Sequence, residues 1–172
     1  MNYNNKRITG NDVIDNVADD EYRGYKTPAQ LRNARTQVHK LKLDQTAKLP
    51  YLLLLKIDIP YMITMNIDIR DKVVNGEIGN LKYVEWKTTE EPENISTKII
   101  RIWLEFQDKS VGQELHRKYA THIALNPDLQ QHWVPIKLCK GTCTLESKII
   151  SCKCEQFPVT PFLCNNCTQR SR

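Results

Sequence analysis

The sequence predicts an α+β chain rich in strand: a small antiparallel β-barrel or partly open sheet with one or two helices. Three observations carry that prediction. Through LLLLKIDIPYMITMNIDI, Lys56, Asp58, Thr64, Asn66 and Asp68 all fall on even positions among apolar residues, the period of a half-buried strand. Leu31, Ala34, Val38 and Leu41 instead step by three and four, as one face of a helix does. Turn formers punctuate the rest at Asp71-Lys72, Asn75-Gly76 and Asn126-Pro127-Asp128.

Taken in order, residues 1–26 are polar and aperiodic, with acidic residues gathered at Asp19, Asp20 and Glu21, and read as an extended polar lead-in. At Thr27 a helix begins. Thr27 can cap, Pro28 suits a first helical position and Gln30 completes a capping box, giving a helix of about Pro28 to Lys42 with Arg35 and His39 on its solvated face. Beyond Pro50 dense β-branched residues predict strand, and Asn75-Gly76 predicts a hairpin over about Val73 to Trp86. The acidic, Pro-bearing KTTEEPENIST reads as a surface loop. Its Asn94-Ile95-Ser96 sequon is idle without a secretory route. A strand at Ile99 to Phe106, a short helix near Val111 to Tyr119, and strands at about His132 to Leu138 and Ser147 to Phe157 complete the reading. No internal repeat is present.

Composition bounds the function. With 172 residues and 40% apolar content the chain can bury a real core, and 26% charged residues with 6 Gly and 8 Pro exclude low-complexity and fibrous classes. The most apolar stretch, Leu49 to Leu55, meets Lys56 and Asp58 long before the roughly 20 residues a bilayer needs, so no membrane partner is expected. MNYNNKRITGNDVIDN holds no hydrophobic signal core, which predicts a nuclear or cytoplasmic protein that is not secreted. The net charge of +5 permits nucleic-acid contact without demanding it. Much of it lies between Lys137 and Arg172, where six Lys or Arg face two Glu.

Enzymatic motifs are missing. There is no G-x-x-x-x-G-K-[ST] phosphate loop, no G-x-S-x-G elbow and no H-E-x-x-H, and Lys140-Gly141-Thr142 reads as a turn. His39, His116, His122 and His132 are scattered, so a self-contained catalytic site is not expected. All six cysteines, Cys139, Cys143, Cys152, Cys154, Cys164 and Cys167, lie in the last fifth of the chain as C-x3-C, C-x-C and C-x2-C. These spacings offer soft ligands for tetrahedral Zn²⁺, while a reducing compartment leaves them as free thiols on strand faces. A standalone zinc-containing nucleic-acid-binding or interaction module is therefore the alternative reading. Tyr61, Tyr83, Trp86, Trp103 and Trp133 suit either stacking on single strands or, at apolar strand positions, core packing.

From about Glu21-Tyr22 to Pro161 the wording resembles the Pif-type ATP-dependent DNA helicases of superfamily one, including the helicase parts of Helitron-like transposons. The most specific stretch is HKLKLDQTAKLPYLLLLKIDIPYMITMNIDIRDKVVNGEIG, which is similar to the family's L-K-[IV]-G-x-P-V-M, then Asn, then L-V-N-G-x-x-G. Lys56, Pro60, Met62, Asn66, Val74-Asn75-Gly76 and Gly79 take those places, with Asp58 where the family usually has Gly and Tyr61 where it has Val. His132-Trp133-Val134-Pro135-Ile136 resembles a W-x-P-I segment, and Glu155-Gln156-Phe157-Pro158-Val159 an R-x-Q-F-P-L strand in which Cys154 replaces the Arg.

The resemblance implies an incomplete RecA-like second motor domain over 27–161, carrying a small β-barrel (2B-like) insertion around 50–86. It implies 5′-to-3′ DNA unwinding with ATP and Mg²⁺ in an intact member, for DNA repair, recombination or transposition. For this chain it implies no catalytic residue and no cofactor of its own, a missing ATP-binding domain as partner, and weak single-stranded DNA contact. The DNA-binding candidates are Lys56, Asn66, Asn75, Gly76 and Gln156. Residues 162–172 diverge from the family's A-x-T-[IV]-H-K-S-Q-G. A one-base shift through codons for Cys164-Asn165-Asn166-Cys167-Thr168-Gln169 allows Ala-Thr-Thr-Val-His-Lys, which makes a frame-shifted tail the expectation.

Overall fold

A computed structural model describes residues 12–91, 94–143, 145 and 150–162. Among these residues are two α-helices and ten strands, the strands forming three antiparallel sheets, so the α+β, β-rich reading holds while no barrel closes among them. The strands are β1 (Val13–Val17), β2 (Asp19–Arg23), β3 (Leu52–Lys56), β4 (Pro60–Ile63), β5 (Ile78–Glu91), β6 (Asn94–Phe106), β7 (Val134–Lys137), β8 (Cys139–Cys143), β9 (Ser151–Gln156) and β10 (Val159–Pro161). The helices are α1 (Pro28–Val38) and α2 (Gln113–Leu125). Every strand pairing among the described residues is antiparallel, so they contain no parallel RecA-like sheet. No helix among them is long and apolar enough to cross a membrane.

The largest sheet has the order β10-β4-β5-β6-β7. Its spine is the β5–β6 hairpin, whose connection falls inside KTTEEPENIST, the segment read as a loop. The difference is physical: toward its tip the hairpin pairs Lys87 with Lys98, Thr88 with Thr97 and Thr89 with Ser96, so alternation there carries no apolar face to betray a strand. Two bulges, between Leu81 and Tyr83 and between Glu85 and Trp86, offset each other's register. One face of the sheet then buries Leu81, Val84, Ile102, Leu104 and Ile136 against Leu53, Leu55, Tyr61 and Phe157. Its other face packs Trp103 against Tyr119 and Ile123 of α2, with Leu129 and Trp133 closing the cluster.

The described part of the extended polar lead-in, from residue 12 on, is paired into sheets. It holds β1, which pairs with β3 in a ribbon, and β2, which pairs with β9 in the sheet β2-β9-β8. Likewise, LLLLKIDIPYMI is two strands, not one, because the chain reverses at Ile57-Asp58. Asp58 sits at φ +62, the left-handed backbone that the resembling sequences supply with Gly. Its amide donates to the Leu81 carbonyl at 2.7 Å and its carboxylate accepts from Lys82 at 2.7 Å, which offsets the cost of that conformation. The bond to Asp58 also holds the Lys82 ammonium above its ordinary pKa.

Helix α1 starts as its capping box dictates, with the Gln30 amide donating to Thr27 Oγ1 at 3.3 Å and the Thr27 amide to Gln30 Oε1 at 3.2 Å. It ends at Val38, earlier than expected, and a 3₁₀ turn at Leu43–Gln45 follows. Helix α2 runs past Tyr119 to Leu125.

Candidate nucleic-acid interface

Between β4 and β5 lies a loop, residues 64–77, where most of the predicted DNA-contacting residues fall. Asn75-Gly76 does not join the two strands of a tight hairpin; it closes the end of this longer loop ahead of β5. Gly76 adopts φ +96 and its amide donates to the Ile63 carbonyl at 2.9 Å. The Asn66 carboxamide oxygen accepts the Asn75 amide at 3.0 Å, so the structure brings Asn66, Asn75 and Gly76 together.

The loop is stiffened from within. Asp68 and Val73 exchange backbone hydrogen bonds, and Asp68 Oδ1 accepts the amides of Arg70 and Asp71 at 2.9 and 3.1 Å. Val73 is fully buried in the main core. Asp71, also buried, reaches the start of α2, where its two carboxylate oxygens accept the Glu114 and Leu115 amides at 2.8 and 3.0 Å and its carbonyl accepts the Gly112 amide at 2.8 Å. The helix has no cap of its own side chain, so Asp71 supplies the acceptor that its free amides need. Such a frame leaves Ile69 71% exposed at the tip, flanked by exposed Arg70 and Lys72. Lys72 Nζ donates to Ser110 Oγ at 2.7 Å and lies 3.9 Å from Asp108.

The loop thus offers a guanidinium, an ammonium, an apolar side chain and the exposed Asn75 carboxamide from a fixed backbone. Groups of that kind bind phosphates and base faces and move no protons. Sequence reasoning missed Arg70, Lys72 and Ile69; the signal present was an I-R-D-K run between turn formers.

The other two predicted residues stand apart from the loop tip. Lys56 ends β3, paired with Val13, and its amide donates to the Tyr61 hydroxyl at 2.9 Å. That hydroxyl donates in turn to the Leu54 carbonyl at 2.7 Å, so the Tyr at this position ties β4 to β3, and burial pushes its pKa up. Gln156 is wholly buried. Its Nε2 donates to the Asn16 carbonyl at 2.9 Å, while Oε1 accepts Asn16 Nδ2 at 2.5 Å and the Phe157 amide at 2.9 Å. As a DNA contact Gln156 is therefore replaced by a structural role: it locks the lead-in to β9, and its partner Asn16 sat in a segment with no predicted strand.

The cysteines divide. Cys143, Cys152 and Cys154 are buried on one face of the sheet β2-β9-β8, beneath Val38 of α1 and beside Tyr22, and their sulfurs lie within 4.8 Å of one another. Cys143 and Cys154 are joined by a disulfide where free thiols were expected, because β8 and β9 place Cys143 opposite Cys152 and diagonal to Cys154. Burial pushes the Cys152 thiol up to about 11. Cys139 is half-buried and outside that group. Cys164 and Cys167 lie outside the described residues.

No family model matches the sequence, and no curated protein does. Among solved structures the chain is similar, over 91% of its length, to a crystal structure of the Pif1 helicase from Candida albicans, with 20% identity and a TM-score of 0.49. It is similar over 88% of its length, with 12% identity and a TM-score of 0.40, to a chain from a study of forked double-stranded DNA unwinding by two coordinating Pif1 helicases. The chain spans 29% and 22% of those two chains.

Proposed function

We propose that this chain is a segment of a Pif-type, 5′-to-3′ DNA helicase, whose part is to hold single-stranded DNA while an ATP-binding domain outside this sequence supplies hydrolysis. Such a protein acts in the nucleus, in repair, recombination or transposition. The carrying observation is that the stretch with the family-like wording, Lys56 to Gly79, builds the stiffened loop with Ile69, Arg70 and Lys72 at its tip. Phosphoryl transfer needs a phosphate loop and metal-holding acids, and the sequence has no phosphate loop, so the chain alone binds DNA without hydrolysing ATP.

Anisotropy of a labelled single-stranded oligonucleotide, titrated with the full chain over a range of salt, tests this. Each phosphate contact on a single strand contributes a slope of about −0.7 in log K against log salt, so Arg70→Ala with Lys72→Ala should flatten the slope by roughly 1.4. A double variant with unchanged affinity and slope removes the loop from the reading.

A further inference from the structure

The three buried sulfurs call for an account of their own, independent of DNA binding. We infer that Cys143, Cys152 and Cys154, with Asp20, form a site for one thiophilic divalent cation, Zn²⁺ above all, when the Cys143–Cys154 disulfide is reduced. Two thiolates on a tetrahedral zinc, each about 2.3 Å from it, stand about 3.8 Å apart. Cys152 and Cys154 already hold their sulfurs 3.9 Å apart on one strand face. Cys143 comes from the neighbouring strand, directly opposite Cys152, so the three donors converge from a rigid ladder and not from a loop.

The fourth donor comes from the strand on the other side. In the β2–β9 register Asp20 faces Cys154 and Tyr22 faces Cys152. Asp20 Oδ2 accepts the Tyr22 hydroxyl at 3.2 Å, whereas Oδ1 is buried with no hydrogen-bond partner among the described residues. The carboxylate stands outside the 4.8 Å group, so its ligation requires a side-chain rotation on metal binding. Val38 closes the site from above and Arg35 stacks over Tyr22 at 5.9 Å, placing a cation beside an anionic cluster. Cys139, though on the same strand as Cys143, is no ligand.

Disulfide and metal are alternative states of the same sulfurs. A phosphine reductant delivers two electrons to the S–S bond and leaves as its oxide with an oxygen from water, whose protons complete the two thiols. Each of the three thiols then gives its proton to solvent as it binds the cation.

The experiment uses the full chain carrying Cys164→Ser and Cys167→Ser, reduced with a phosphine and titrated with Co²⁺ and then Zn²⁺. One equivalent of Co²⁺ should bind with thiolate charge-transfer and tetrahedral ligand-field bands, and Zn²⁺ should displace it. Losing one of the sulfur ligands in Cys152→Ser should weaken binding by about 100-fold or more, while Cys139→Ser should leave it unchanged. X-ray absorption on the zinc form of the parent chain, which does not depend on any variant folding, should show three sulfurs and one oxygen. A reduced chain that takes up no metal overturns the inference. So does uptake indifferent to Cys152→Ser, loss of uptake in Cys139→Ser, or a first shell with any other count of sulfurs.

Discussion

The two larger sheets are held by different means. The five-stranded sheet buries Leu, Ile, Trp and Phe side chains on both faces, each contributing about 1.5–3 kcal/mol. In the three-stranded sheet the described residues bury a small cluster, in which Val38, Leu41 and Tyr22 pack on three cysteines. The larger sheet can therefore carry a buried charge. Glu85, 2% exposed, accepts Arg101 Nη1 at 2.6 Å and the Trp103 indole at 3.0 Å, and lies 3.0 Å from His122 Nε2. The Arg101 guanidinium lies 4.6 Å from the Tyr119 ring centre, so the network fastens α2 to the sheet. Where apolar burial is plentiful, polar groups serve to orient; where it is scarce, a covalent link does the holding.

Breaking the charge network should have the largest effect. Arg101→Met strands the Glu85 carboxylate in the core and should lower stability by about 3–5 kcal/mol in urea unfolding, while adding Glu85→Leu should recover most of it. A double variant as unstable as the single one would mean that the ions, not the packing around them, hold α2.

Next comes the sulfur link. The disulfide spans 11 residues, and opening it in metal-free chain should cost about 3 kcal/mol by the loop-entropy argument, read as the difference between oxidised and reduced unfolding midpoints. If hydrogen exchange then rises in β8 and β9 before β5 and β6, the two sheets are separate units of stability.

The smallest effect is in pH. Burial lowers the His116 pKa below its ordinary 6.5, with a backbone bond at Trp133 opposing. A histidine of that kind binds its proton more readily unfolded, so its contribution is intact above about pH 6.5 and is lost as pH falls toward the folded value. Melting temperature should drop between pH 7.5 and 5, and less so in His116→Gln.

How much of this was legible in the sequence follows from how far apart the partners are. The start of α1 could be read because both halves of its capping box lie within four residues. The start of α2 is placed by the sequence near Val111, close to the observed Gln113, but its cap could not be read, because the acceptor, Asp71, comes from the loop before β5. Strands β1 and β2 were missed for the same reason: β1 leaves Val13 and Val17 exposed, β2 has Tyr22 as its one apolar side chain, and their partners lie far along the chain in β3 and β9. At the candidate interface, Asn75-Gly76 announced a turn correctly, while the strand pairing around it depended on Glu77, Ile63 and the distant β6. Gln156 looked like a surface polar group until Asn16 arrived to bury it.

The pairing of β2 with β9 joins the second strand of the described residues to the last but one. On the ribosome, β2 emerges early and waits for Ser151–Glu155, which at ordinary rates of synthesis takes roughly 7–30 s. Throughout that interval its strand edges are open to any neighbouring nascent chain. Asp19, Asp20, Glu21 and Arg23 make it a poor template for such encounters, since charged residues on an unpaired strand discourage foreign pairing. The acidity that made the lead-in look unstructured thus doubles as protection while its partner is still being made.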